Sequence, residues 1–173
     1  MALLLVTGPP GVGKTTALRK VCDALQGWPM RGFWTEEVRA AGVRQGFQLV
    51  TLDGERCTIA DVGRPGAPRV GKYGVDVAAI DAVSRRVLVP DQSVQLFVID
   101  EIGKMECLSH AFVEGVRSLL ASGQPLLATV AIRGGGLIEE VKFHPKAHIM
   151  HLTRDNRDRL PDEIAEMLRE GSS

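Results

Sequence analysis

Four apolar residues, Leu3-Leu4-Leu5-Val6, run into Gly8-Pro9-Pro10-Gly11-Val12-Gly13-Lys14-Thr15, and a helical pattern opens at Thr16-Ala17-Leu18-Arg19. Strand, glycine-rich loop and helix in that order restrict the chain to folds built on a strand–helix unit with a backbone cradle between them. A Gly-x-x-x-x-Gly-Lys-Thr loop wraps its N–H groups around a triphosphate, and the helix behind it points its positive dipole end at the charge. Lys14 is expected on the β- and γ-phosphates and the Thr15 hydroxyl on Mg²⁺. Gly11 and Gly13 have no Cβ to hold backbone away from phosphate. The loop residues expected against the nucleotide are Gly8, Pro9, Pro10, Gly11, Val12, Gly13, Lys14, Thr15 and Thr16.

At 173 residues the chain is expected to form one domain, 1–173, with a core that needs neither disulfides nor metals. Lys plus Arg and Asp plus Glu balance at 21 each, which gives no general pull toward nucleic acid or an anionic membrane. Cys22, Cys57 and Cys107 are odd in number and form no C-x-x-C pair, so free thiols in a reducing cytosol are expected. No apolar stretch approaches the length of a membrane span. The first strand begins at once, leaving no room for a charged leader, and the expected location is the cytoplasm. A monomer is the expected state.

Short apolar runs at Leu3–Val6, Leu96–Ile99, Leu126–Val130 and His148–Leu152 predict buried parallel strands. Helical stripes lie between and after them: Leu18, Val21 and Leu25; then Leu108, Ala111, Phe112, Val116, Leu119 and Leu120 over about Glu106 to Ser122; then Leu160, Ile164, Met167 and Leu168, with Pro161 in the first turn. Alternating strands and helices predict an α/β layer fold with a mostly parallel sheet and right-handed crossovers. Met30 to Val62 reads instead as an antiparallel meander at the sheet edge, with turns at Ala40-Ala41-Gly42 and Asp53-Gly54. Gly63–Gly74, carrying Arg64, Arg69 and Lys72, reads as a loop near the active edge.

Leu96-Phe97-Val98-Ile99-Asp100-Glu101 supplies the acid-tipped strand that a phosphate loop needs, with its carboxylates at the strand's C-terminal end. Asp100 is expected to hold the Mg²⁺ shell opposite Thr15, through water. Side-chain alternation predicts that Glu101 points elsewhere, where it would orient or deprotonate a water attacking the γ-phosphate. A turn through Gly103 would return the Lys104 ammonium to the phosphates, where a second cation stabilises the spread charge of the transition state. A solvated lysine at a helix start is the alternative. Glu106 suits the first turn of a helix and stays outside this set.

These residues carry a resemblance that runs nearly end to end. The blocks Thr7–Thr16, Gly32–Arg39, Arg44–Phe47, Val70–Asp76, Val98–Glu106 and Thr153–Arg157 are similar to the THEP1-type nucleoside-triphosphatases, the 98–106 block most specifically. The resemblance implies a RecA-like P-loop NTPase fold, a three-layer sandwich. It also implies slow, Mg²⁺-dependent hydrolysis of nucleoside triphosphates to diphosphates with broad base tolerance. It implies catalytic roles for Glu101 and Lys104 beside Lys14, with Asp100, Glu101 and Gly103 among the nucleotide-binding residues and Thr15 and Asp100 on the metal. Trp34, where Tyr is common, and a short glycine-rich 133–136 segment are the departures.

Arg39 and Arg44 flank the first hairpin turn as candidate cis arginine fingers. Phe33 and Tyr73 are candidates for stacking on the base, and Asn156 and Arg157 for contacting it. His148-x-x-His151 lacks the spacing and carboxylate surroundings of a metal site. The absence of an Asn-Lys-x-Asp motif argues against a guanine-specific switch. Two other classes keep the same loop: a small-molecule or nucleotide kinase, and a nucleotide-dependent binding switch.

Overall fold

The computed structural model describes residues 3–172. The parallel half of the sheet comprises β1 (Leu3–Thr7), β2 (Met30–Ala40), β7 (Leu96–Ile102), β8 (Leu126–Val130) and β9 (Ala147–His151). To β2 are added, antiparallel in turn, β3 (Val43–Thr51), β4 (Arg56–Asp61), β6 (Tyr73–Val75) and β5 (Arg69–Val70). The nine strands lie in the order β5-β6-β4-β3-β2-β7-β8-β1-β9. The sheet thus has the expected parallel centre, β2-β7-β8-β1-β9, with the antiparallel meander attached along one edge. The 63–74 segment, expected as a loop, contributes two of its strands.

Side-chain alternation along β1 assigns the two cores. Leu3 and Leu5 pack on one face with Phe97, Ile99 and Phe112, while Leu4 and Val6 pack on the other with Leu18, Val21 and Ile164. Helices cover both faces. α2 (Val77–Val87), α3 (His110–Ser122) and α4 (Leu137–Lys142) lie on the first, and α1 (Lys14–Ala24) and α5 (Leu160–Glu170) on the second. This is a three-layer α/β sandwich.

Several expectations shift at the element boundaries. The stripe from Glu106 divides into a 3₁₀ turn, Glu106–Leu108, and α3, because Ser109 caps α3 by accepting from the Phe112 N–H at 3.0 Å. Leu108 is consequently exposed. β9 is an edge strand and is not buried, since nothing pairs beyond it; His148, Ile149 and His151 face solvent. Met167 is likewise exposed, whereas Leu160, Ile164 and Leu168 are buried and Pro161 sits in the first turn of α5. α2 and α4 are additions that apolar periodicity did not reveal. None of the described helices is long and apolar enough to cross a membrane.

Candidate active site

The phosphate loop joins β1 to α1, and Gly13 begins the helix at φ +106°, a conformation that glycine adopts without a Cβ penalty. The Lys14 ammonium lies across its own loop, donating to the carbonyls of Gly8 at 2.7 Å and Pro9 at 3.2 Å. The acid-bearing strand β7 is not adjacent to β1, because β8 lies between them. The first turn of α1 bridges that gap. Thr15 Oγ1 donates to Asp100 Oδ2 at 2.5 Å, and from β8 Thr129 Oγ1 donates to Asp100 Oδ1 at 2.6 Å.

β2 closes the other side of Asp100. The Thr35 N–H donates to Asp100 Oδ2 at 3.3 Å, and its hydroxyl donates to the Asp100 carbonyl at 2.5 Å. Asp100 is buried, yet both carboxyl oxygens have hydrogen-bond partners, as buried polar atoms require. Thr35 escaped the sequence reading because its role depends on β2 pairing with β7.

A cavity of about 600 Å³ opens over this junction. Pro10, Gly11, Gly13, Lys14, Thr15, Thr16, Asp100, Glu101 and Lys104 all line it, so the structure brings the two halves of the predicted site together. Gly8, Pro9, Val12 and Gly103 do not line it. Val12 packs into the core beside α1, and a Cβ on Gly8 would lie 2.7 Å from the Leu152 carbonyl oxygen. Gly103 is wedged between acids, where a Cβ would meet Glu101 Oε1 at 2.7 Å and Glu106 Oε2 at 3.0 Å.

Alternation predicted opposite directions for Asp100 and Glu101, but both line the cavity. The β7–β8 ladder slips between Ile99 and Ile102, and such a bulge re-aims the side chains it contains. The peptide joining the two acids is cis. Burial pushes the Glu101 carboxyl above its ordinary range, the Asp100 charge pushes it further, and the Lys14 ammonium opposes both. Lys104 is exposed at the cavity edge.

Glu106, expected as a surface acid on a helix turn, is buried and lines the same cavity. Burial raises its pKa to about 8, assisted by the charges of Glu101 and Asp100. Composition held no sign of this; only the 3₁₀ turn places it inward.

The remaining candidates separate. Arg39 and Arg44 do not line the cavity; both pair with Glu37, at 2.6 and 2.8 Å, and it is Glu37 that lines it. Arg44 also donates to the Tyr73 hydroxyl at 3.0 Å. Phe33 is wholly buried against Phe112 and cannot stack on a base. Tyr73 is buried edge-on against Phe47, at 5.1 Å between ring centroids, and it is Phe47 that faces the cavity. Asn156 accepts from the Thr153 N–H and donates to the His151 carbonyl, staying with its own turn, and Arg157 is exposed. In the 63–74 segment Arg64 pairs with Asp76 at 3.1 Å and Arg69 donates to the Lys72 carbonyl, leaving Val70 as its contribution to the cavity wall.

The chemistry of the donor set fits a hard divalent cation. Mg²⁺ takes one or two protein oxygens and fills its octahedron with water and phosphate oxygens, and Thr15 Oγ1 and Asp100 Oδ2 already converge. Among the described residues no group of three or more His, Cys, Asp and Glu side chains converges as a self-sufficient metal cage.

Comparison with known proteins agrees with this construction. The family model described as NTPase matches residues 3–165. The chain is 40% identical to the nucleoside-triphosphatase THEP1 of Thermotoga sp. strain RQ2, over 96% of this chain and 95% of that one. It is 39% identical to the human cancer-related nucleoside-triphosphatase, with 93% of each chain covered. The crystal structure of THEP1 from Aquifex aeolicus superposes with a TM-score of 0.87 at 34% identity, covering 97% of this chain and 99% of that one. A family model matched over residues 3–165, 40% identity over nearly the full chain and a TM-score of 0.87 leave one assignment: the protein belongs to the THEP1-type nucleoside-triphosphatase family.

Proposed function

We propose that the chain hydrolyses nucleoside 5′-triphosphates to diphosphates and phosphate, slowly and with broad base tolerance, in a Mg²⁺-dependent reaction. The hydrogen bond from Thr15 to Asp100, with Glu101 and Lys104 on the same cavity, is the observation that carries this reading. Loop N–H groups and the α1 dipole bind the phosphates, and Lys14 swings from its loop carbonyls to the β- and γ-oxygens. Thr15 and Asp100 would hold Mg²⁺, which would supply positive charge to offset that of the phosphates. Glu101 accepts a proton from the attacking water, and its partial burial raises its affinity for that proton. Lys104 offsets charge growing on the γ-oxygens.

We also place the protein in the cytoplasm as a monomer with no nucleic-acid partner. Free Cys22, Cys57 and Cys107 suit a reducing compartment. The test is phosphate release from ATP, GTP, CTP and UTP, with and without Mg²⁺, for wild type beside Glu101→Ala and Lys104→Ala. One phosphate per triphosphate, similar across bases and lost in both variants, is expected. Tight binding without release from any triphosphate would overturn the reading.

A further inference from the structure

The cavity extends from the phosphate loop in one direction only. From the phosphate loop it crosses β7 to reach Thr35 and Glu37 on β2, Phe47 on β3, Val70 on β5 and Met105 after β7. On the other side of the loop, Leu152 and the turn from Thr153 to Arg157 do not line it. The orientation of a bound triphosphate follows from the loop chemistry: its β- and γ-oxygens meet between Thr15 and Asp100. The terminal phosphate therefore faces β7, and the nucleoside leaves on the side away from it. The space over β2, β3 and β5 lies beyond the γ-phosphorus, where a nucleophile stands.

That space has an organic wall. Phe47, Val70 and Met105 are apolar and partly buried against the core. Phe47 is braced rather than loose, with the Tyr73 ring edge-on at 5.1 Å and the Arg44 guanidinium 5.4 Å from its centroid. A water molecule gains nothing from three apolar side chains. Apolar walls with a few fixed polar groups are how proteins hold small organic molecules. Glu37, anchored by Arg39 and Arg44, and Thr35 are the fixed polar groups here.

We propose that this compartment binds a small alcohol with an apolar body of several carbons, and that the γ-phosphoryl group is transferred to its hydroxyl, a second activity that rests on the triphosphate reading above. The hydroxyl oxygen attacks the γ-phosphorus and forms a P–O bond. The bond from that phosphorus to the β,γ-bridging oxygen breaks, its electron pair leaving with the nucleoside diphosphate. The hydroxyl proton passes to Glu101, and the products are a phosphate monoester and the diphosphate. Water in the same position gives hydrolysis.

The experiment incubates full-length protein with ATP and Mg²⁺ in the presence of 1-butanol or benzyl alcohol, and separates ester from inorganic phosphate by ³¹P NMR. The expected ester share exceeds the alcohol's mole fraction by about tenfold or more, the discrimination an apolar pocket supplies. Val70→Trp, which fills the compartment, is expected to lower that share while phosphate release without alcohol persists; Val70→Phe repeats the test should the larger residue impair folding. Phosphate with no ester above mole fraction overturns transfer and leaves hydrolysis standing. A rise in the KM for ATP in Val70→Phe, with an unchanged ester share, overturns it too, because the wall would then hold the nucleoside. Absence of both products rejects the hydrolysis reading and this inference with it.

Discussion

At the scale of single residues, the site is an arrangement of acids in different surroundings. Asp100 is buried but receives donors from Thr15, Thr35 and Thr129, Glu101 is half-buried and feels the Lys14 charge, and Glu106 is buried near the charges of Glu101 and Asp100. Replacing Glu101 by Gln removes the proton acceptor and keeps the shape, so kcat should fall by about 10²–10⁴ with a smaller change in KM, measured by steady-state phosphate release. Glu106 gives a stability prediction with a defined sign. Its folded-state pKa of about 8 lies above the ordinary 4.5, so the folded protein holds this proton longer than the unfolded chain. The associated stability is complete below pH 4.5 and is lost as pH rises through about 8. The Tm of wild type relative to Glu106→Gln should decline across that window and level off above it. Lys14, Thr15, Asp100 and Glu101 were legible in the sequence because their chemistry is local to two short motifs. Thr35, Glu37, Phe47 and Glu106 were not, because each reaches the cavity only through pairing or a turn set by distant residues.

At the scale of elements, the loop and turns around β7 decide how the site is held. Gly103 follows that strand with no room for a side chain, since a Cβ would sit against both Glu101 and Glu106. Gly103→Ala should therefore displace the flexible carboxylates and lower kcat more than it lowers Tm, a contrast read by activity assays beside thermal melts. Ser109 shows the same economy in the adjoining helix pair. Its oxygen accepts from Phe112 at the start of α3, and its hydroxyl donates to Asp81 of α2 at 2.5 Å. Ser109→Ala should cost about 1–2 kcal/mol, a lost cap plus a half-buried acid left short of a donor, measured by urea unfolding. The apolar stripe across this region was visible in the sequence, but the break at Ser109 outweighed the continuity suggested by Leu108. The β-hairpin within residues 63–74 was hidden for the opposite reason: its strands are too short to carry a period, and pairing with β4 creates them.

At the scale of the whole molecule, ligand and fold are linked because the phosphate loop belongs to the core as much as to the site. Val12 packs between α1 and α5, and α1 carries both Thr15 and the buried Leu18 and Val21. Triphosphate with Mg²⁺ at a hundred times its Kd should stabilise the protein by about 2.7 kcal/mol, about 5–10 °C in Tm for a chain of this size. Lys14→Ala should lose most of that shift in differential scanning fluorimetry. By itself the sequence determined the α/β layering, the phosphate loop and the acid-tipped strand. A run of apolar residues, a glycine pattern and a carboxylate after a buried strand act through backbone geometry and burial, which short stretches already specify. Tertiary structure alone decided that β8 separates β1 from β7, that a slipped ladder turns Asp100 and Glu101 into one cavity, and that Arg39 and Arg44 pair with Glu37 outside it. Strand order, register and ion-pair choice are settled by contacts between residues far apart in the chain, where each side chain's direction depends on which neighbour the sheet places beside it.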